Sequence, residues 1–166
     1  TPDQLQACLD RGTTVLQATP SAWRLALPHL LPGRLRHILV GGEAMPADLA
    51  SALCPLAEAV WNLYGPTEAT IWVAVARVDT SPPTDPVSIA GPLPGVTLRV
   101  RDIDGQPAPW GLAGELSIEG VLVADRYLNR PRLTSERFLP SPAGMRRFRS
   151  GDLMVMTASD QIQFLG

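Results

Sequence analysis

The chain has 166 residues, with 14 Arg, no Lys, 16 acidic residues and a net charge of −2, so it lacks the basic bias of a nucleic-acid binder. With 45% hydrophobic and 18% charged residues, and a length at which folding buries roughly 70% of the unfolded surface, the composition excludes intrinsic disorder. No apolar run approaches the roughly 20 residues of a membrane span and no basic segment leads into an apolar stretch, so a soluble, cytoplasmic protein without nucleic-acid or membrane partners is expected.

Thr1-Pro2-Asp3-Gln4 predicts a helix start, with Thr1 as cap, Pro2 at the first helical position and Gln4 completing a capping box; Gly12 ends that helix. Thr13 to Ala18 is a short β-leaning run. Thr19-Pro20 repeats the cap-plus-proline signal and opens a helix to about Leu30. His37 to Val40 is a strand running into Gly41-Gly42, Pro46 starts a helix to Leu53, and Ala59 to Leu63 is a third strand. Short apolar strands alternating with helices predict an α/β fold with a parallel sheet. Thr70 to Val78 reads as a further strand.

Ser81-Pro82-Pro83-Thr84-Asp85-Pro86 holds neither helix nor central strand and marks a subdomain boundary, giving expected portions 1–80 and 81–166. Beyond it Val96 to Arg101 alternates, Asp104-Gly105 signals a turn and Gly114 to Glu119 alternates again, which predicts hairpins. Arg146 to Arg149 and Gln161 to Leu165 supply further strands, with a turn at Ser159-Asp160. The 17 Pro and 14 Gly fit many turns and short elements. The last strand stops at Gly166 with its edge uncovered, as expected of a segment from a longer chain. Cys8 and Cys54 stand apart from any CxxC pair and read as buried thiols, and His29 and His37 read as surface or packing residues.

The densest polar cluster is Asn62-Leu63-Tyr64-Gly65-Pro66-Thr67-Glu68, at the C-terminal end of a predicted strand, where parallel α/β sheets bind ligands. Gly65-Pro66 forces a turn, Thr67 offers a hydroxyl, Glu68 an oxygen ligand for a hard cation and Tyr64 a flat face for a base. An ordinary Gly-Pro turn explains the same spacing. No G-x-G-x-x-G follows a strand, which disfavours a dinucleotide-binding βαβ unit.

Asn-x-Tyr-Gly-Pro-Thr-Glu resembles a signature of the adenylation domains of nonribosomal peptide synthetases, in the acyl-adenylate-forming superfamily. Other segments agree in order: Gly114-Glu115-Leu116 with Gly120, Ala124, Tyr127, Leu128, Pro131, Leu133-Thr134 and Arg137-Phe138; then Phe148-Arg149-Ser150-Gly151-Asp152-Leu153; and upstream Gly41-Gly42-Glu43-Ala44. The resemblance implies the late part of a parallel-sheet subdomain followed by a small β-rich, distorted barrel-like subdomain. It implies ATP and Mg2+ as cofactors, Tyr64 stacking on adenine, and the Gly42-Glu43-Ala44 backbone with Asn62 and Gly65 around the nucleotide. Asp152 would bind the ribose, and of the two implied catalytic residues Thr67 would contact the phosphate and Glu68, also the metal residue, would hold Mg2+. The implied partners are an amino acid, the phosphopantetheine of a peptidyl carrier protein and the remainder of the adenylation domain, with the need for a small MbtH-like activator left open.

Three positions depart from the family pattern: Arg126 where Gly is usual, Ser150 for Thr and Phe148 for Tyr. With no Lys in the chain, the cation that stabilises the transferring phosphate is expected from outside these residues. By family offsets the substrate pocket is read as Gln17, Leu39, Gly41, Leu63, Ile71 and Trp72, a pattern similar to that of glycine-activating domains. None of the six is charged, and the bulk of Leu63, Ile71 and Trp72 suits a small apolar substrate; the alternative for Ile71 and Trp72 is a place in a strand core. The rival activities are an acyl-CoA ligase of the same superfamily, disfavoured by Pro66 and the Leu-Thr-x-x-Arg-Phe stretch, and a non-catalytic interaction module.

Overall fold

The computed structural model describes residues 2–82, 84–89, 91–141, 144–157 and 161–166. The proposed cap at Thr1 and the turn at Ser159-Asp160 lie outside the described residues. The chain forms two compact units, one of residues 1–63 and 76–88, the other of 64–75 and 89–166. The expected change of character at 81–86 falls just before the last crossing, while residues 64–75, which carry the Gly-Pro turn, belong to the second unit.

In the first unit α1 (Pro2–Asp10), β1 (Val15–Ala18), α2 (Pro20–Ala26), β2 (Leu35–Gly41), α3 (Ala47–Leu53) and β3 (Ala57–Tyr64) alternate as the hydrophobic pattern predicts. Strands β1, β2 and β3 pair in parallel in that order, with β4 (Ala74–Arg77) completing the sheet. Thr19 caps α2 through its side chain, accepting from the Ala22 amide at 3.3 Å. The helix ends at Ala26 rather than near Leu30, because Pro28 has no amide proton and the chain continues as a tighter turn over Leu27–His29. One sheet face packs Ile38, Val40 and Val60 against Trp23, Leu49 and Leu53, all 0–1% exposed; full burial of such aliphatic side chains contributes about 1.5–3 kcal/mol each. Trp23 Nε1 also donates to the Leu39 carbonyl at 3.0 Å, pinning α2 to β2.

The second unit is an antiparallel sheet of β5 (Val96–Arg101), β6 (Ala113–Gly120), β8 (Arg146–Met156) and β7 (Phe138–Pro140) in that order, with β9 (Ile162–Phe164) on β8. It is open, so the barrel-like expectation is corrected: β5 and β7 form edges and do not pair with each other. A short helix, α4 (Pro131–Arg137), begins on a proline and leads into β7. The core face carries Val100, Leu116, Ile118, Phe148 and Met154.

Three expectations are corrected in detail. The strand predicted over 70–78 is confined to Ala74–Arg77, because Thr70 and Ile71 adopt positive φ and cannot join a ladder. Strand β8 runs on past Arg149 to Met156, with Gly151 supplying a left-handed residue inside it. Cys8 and Cys54 are half-buried rather than buried; the Cys54 thiol sits 3.6 Å from the Val78 carbonyl, and burial raises its pKa. His29 is exposed, and His37 packs against Trp61 and accepts from its indole N–H at 3.3 Å. Among the described residues no helix is long and apolar enough to cross a membrane.

Candidate functional site

The C-terminal ends of the parallel strands carry the first group of candidates. Gln17 pairs with Leu39 across β1 and β2, and Gly41 with Leu63 across β2 and β3. Since side chains alternate along a strand, these four share the face opposite the Ile38–Val40–Val60 core. Gln17 is exposed, Leu39 and Leu63 are half-buried and Gly41 is buried.

Beyond β2 the chain turns at Gly42, whose φ of 89° suits a residue without a Cβ. Glu43 follows, exposed, with Oε2 accepting from Ser21 Oγ at 2.6 Å and from the Ser21 amide at 3.1 Å, so the loop is tied to the first turn of α2. Those hydrogen bonds hold the Glu43 carboxyl below the usual range. Ala44 is exposed beside it. Asn62 lies on the core face, 5% exposed, its amide donating to the carbonyls of Val87 at 3.2 Å and Ser88 at 3.3 Å. Its N–H groups therefore anchor the 85–88 strap within this unit.

The second unit holds the turn 64–73 and the strand bearing Asp152. Gly65 is required by close approach: a Cβ there would lie 2.3 Å from the Ile71 carbonyl oxygen. The backbone returns at once, with the Val73 amide on the Tyr64 carbonyl at 2.8 Å. Between them Thr67–Ala69 make one tight turn and Thr70 and Ile71 have φ of 61° and 73°. Ile71 is 58% exposed, so it is no core residue, and Trp72 is half-buried. Thr67 is exposed on this turn.

Across 88 residues of sequence, the Tyr64 phenol donates to the Asp152 carboxylate. Burial pushes the Tyr64 phenol well above its ordinary pKa, and the carboxylate it faces adds to the shift. Asp152 is presented by its own loop: its amide donates to Ser150 Oγ at 3.1 Å, Ser150 Oγ donates to the Leu116 carbonyl at 2.9 Å, and the Gly151 amide donates to Glu115 Oε1 at 3.0 Å. Serine at 150 thus retains the hydroxyl that the loop uses. Phe148 is 2% exposed and packs on Phe138 with ring centroids 5.0 Å apart, an apolar setting in which a phenol would lack a partner. Arg126 is exposed and its φ lies outside the left-handed region, so the backbone there needs no glycine.

Glu68 is half-buried and braced by a segment that sequence spacing did not connect to it. Tyr127 donates to Glu68 Oε1 at 2.6 Å, the Ala124 amide donates to the Glu68 carbonyl at 2.8 Å, and Thr70 Oγ1 donates to the Leu122 carbonyl at 2.8 Å. Burial, then the hydrogen bond to Glu68, pushes the Tyr127 phenol up to about 12. Tyr127 was named only as a motif letter; the signal for its role, an aromatic hydroxyl 59 residues away, becomes visible in three dimensions. Among the described residues no three His, Cys, Asp or Glu cluster into a metal cage.

The sequence profile of the family described as AMP-binding enzyme matches residues 1–128. The chain is 41% identical over 157 residues to a dimodular nonribosomal peptide synthase of Bacillus subtilis, covering 92% of this chain and 6% of the relative. Its fold is similar to that of the Vibrio cholerae adenylation domain AlmE, solved in complex with glycyl-adenosine-5'-phosphate, with a TM-score of 0.87 and 29% identity over 99% of this chain and 33% of that one. It is also similar to holo-AB3403, a four-domain nonribosomal peptide synthetase bound to AMP and glycine, with a TM-score of 0.86 and 34% identity over 99% of this chain and 12% of that one. The chain therefore spans a small part of the length of each.

Proposed function

The chain belongs to the AMP-binding enzyme family, and from that premise we propose that it forms part of an adenylation domain that activates an amino acid, glycine, with ATP and passes it to a carrier-protein thiol. The observation that carries this reading is the hydrogen bond between Tyr64 and Asp152. These are the two residues read from the motifs as adenine and ribose contacts, and the hydrogen bond joins an aromatic face and a carboxylate at one locus. A carboxylate that accepts from a phenol keeps lone pairs for the two hydroxyls of a ribose.

In the proposed reaction a carboxylate oxygen of glycine attacks the α-phosphorus of ATP, and the bond to the bridging oxygen breaks, so that pyrophosphate leaves with the electron pair. The aminoacyl adenylate then loses AMP to the phosphopantetheine thiolate of the carrier, a thioester forming at the carbonyl carbon. Within this chain Tyr64 and Asp152 would hold the nucleoside, Thr67 would donate to the phosphate and Glu68 would hold Mg2+. Bound there, Mg2+ supplies charge that offsets the phosphates. The sequence contains no Lys, so any lysine acting on the transferring phosphate comes from elsewhere in a longer protein. The reaction belongs to the cytoplasm, where ATP and Mg2+ are available.

Glycine as substrate is supported by the ligands of the two similar structures and by the pocket residues, none of which offers a charge to a side chain. The bulk of Leu63, Ile71 and Trp72, as the pocket is read from the sequence, suits a small apolar substrate. Titration of the intact protein carrying this sequence with AMP tests the nucleotide assignment. Asp152→Asn should weaken AMP by about tenfold or more, the scale of one charge-assisted contact; equal affinity in wild type and variant would remove Asp152 from the site.

A further inference from the structure

We propose that the polar face of the antiparallel sheet carries an oxyanion site that takes a phosphate group through Arg101, Ser117 and Arg147. Pairing places Arg101 opposite Glu115, Arg99 opposite Ser117, Ser117 opposite Arg149 and Glu119 opposite Arg147. The odd-numbered positions of these strands therefore share the face away from the core of Val100, Leu116, Ile118 and Phe148. On that face lies a cavity of about 230 Å³, lined by Arg101, Arg147 and Arg149, by Glu115 and Ser117, and by the 102–105 loop with Asp102 and Asp104.

Three buried side-chain polar atoms have no hydrogen-bond partner among the described residues, and all belong to residues lining this cavity: Arg101 Nε, Ser117 Oγ and Arg147 Nε. Ser117 is only 2% exposed. Each of the three can donate, and the two Nε–H groups can do nothing else. With the hydroxyl able to donate or accept, the set suits a ligand rich in acceptors.

The charge balance points the same way. Glu115 is spent on Arg149, at 2.9 and 2.6 Å, with Arg137 at 3.4 Å. Glu119 takes Arg101 Nη2 at 2.7 Å and Ser141 Oγ at 2.7 Å, and although burial opposes it these bonds hold its carboxyl below the usual range. Asp102 Oδ1 closes its own loop on the Asp104 and Gln106 amides, at 3.0 and 2.8 Å. Asp104 is exposed at the loop tip, where solvent screens it. Among the described residues neither Arg147 nor Arg99, on the same face, has an ion pair. Water would satisfy the donors without supplying a countercharge. A tetrahedral oxyanion does both, and the guanidinium fork matches phosphate oxygens.

The test is calorimetric titration of the intact protein carrying this sequence, at fixed ionic strength and without nucleotide, using inorganic phosphate and ethyl phosphate in parallel. Wild type should bind at one site. Arg147→Gln should weaken binding at least tenfold and Ser117→Ala about threefold, while Arg132→Gln, an exposed arginine paired with Glu136 on α4, should leave it unchanged. Binding of inorganic phosphate alone identifies a free anion as ligand; equal binding of ethyl phosphate identifies a phosphate group carried on a larger molecule. Absence of binding to wild type, or equal affinity in wild type and Arg147→Gln, would overturn the proposal. Should Arg147→Gln fail to fold, Arg147→Lys provides the second reading, with weakening of about threefold expected and wild-type affinity contradicting it. The outcome is independent of whether the protein activates an amino acid.

Discussion

The Tyr127 hydroxyl sits 2.6 Å from Glu68 Oε1 and donates to it. The ring is held for this by an edge-to-face contact with Phe138, centroids 5.1 Å apart, and by the Tyr127 amide on Thr134 Oγ1 at 3.1 Å. One carboxylate oxygen of Glu68 is thereby fixed, and in the proposed function the other would face Mg2+. Tyr127→Phe keeps the ring contacts and removes the hydrogen bond, worth about 1.5–3 kcal/mol where the acceptor is charged. In the proposed reaction the variant should need severalfold more Mg2+ for half-maximal pyrophosphate exchange, with Tm lowered by several degrees. Unaltered Mg2+ dependence would show that Tyr127 does not orient Glu68.

The two tyrosines give a pH prediction. Tyr127 is pushed up to about 12 by burial and by Glu68, and Tyr64 is raised too, by burial and Asp152. In the unfolded chain both phenols lose their protons near pH ~10. Below that pH folded and unfolded states hold the same protons; between about 10 and 12 the unfolded state holds fewer, so stability falls as pH rises through this window. Absorbance of tyrosinate near 295 nm should stay flat through pH 10 and rise only with unfolding. A step near pH 10 in the folded protein would contradict the burial of both phenols.

Gly65→Ala should destabilise strongly, because the new Cβ would stand 2.3 Å from the Ile71 carbonyl oxygen and 2.8 Å from Trp72 Cα, both backbone. Overpacking of this kind costs about 1–3 kcal/mol or more. Gly105→Ala meets nothing within 4 Å and suffers only from its φ of 76°, an effect of about 1 kcal/mol. Thermal melting of the two variants should rank Gly65→Ala clearly lower; the reverse order would contradict the packing of the 64–73 turn.

Trp72→Ala removes apolar bulk from the proposed pocket and should let alanine and larger amino acids support exchange. Attraction alone discriminates a methylene by about 1–3 kcal/mol, so rejection of alanine rests on steric overlap, and relief of it should change selectivity by tenfold or more. A selectivity unchanged across a panel of amino acids would place Trp72 outside the pocket.

Local patterns made the parallel half of the fold legible, because Ile38, Val40 and Val60 lie in short apolar runs and Thr19-Pro20 and Pro46 punctuate helix starts. The hairpins were legible from the alternation of Val96 to Arg101 and Gly114 to Glu119. What escaped was irregular backbone and distant pairing. Helix α4 has seven residues and no side-chain cap at Arg130, too little for a periodic signal. Ile71 looked like a strand residue, but the consecutive positive φ values at Thr70 and Ile71 follow from the forced approach at Gly65. The partners of Tyr64 and Glu68 stand 88 and 59 residues away, beyond any local pattern.

Amino-acid activation by the protein carrying this sequence is read out by amino-acid-dependent exchange of labelled pyrophosphate into ATP. The assay takes the intact protein carrying this sequence, a panel of amino acids, and fatty and aromatic acids with CoA as a separate arm. A strong signal with glycine, weak signals with larger amino acids and none without an amino acid are the predicted result. Exchange with no amino acid, together with turnover of a fatty or aromatic acid and CoA, would contradict the account and identify an acyl-CoA ligase.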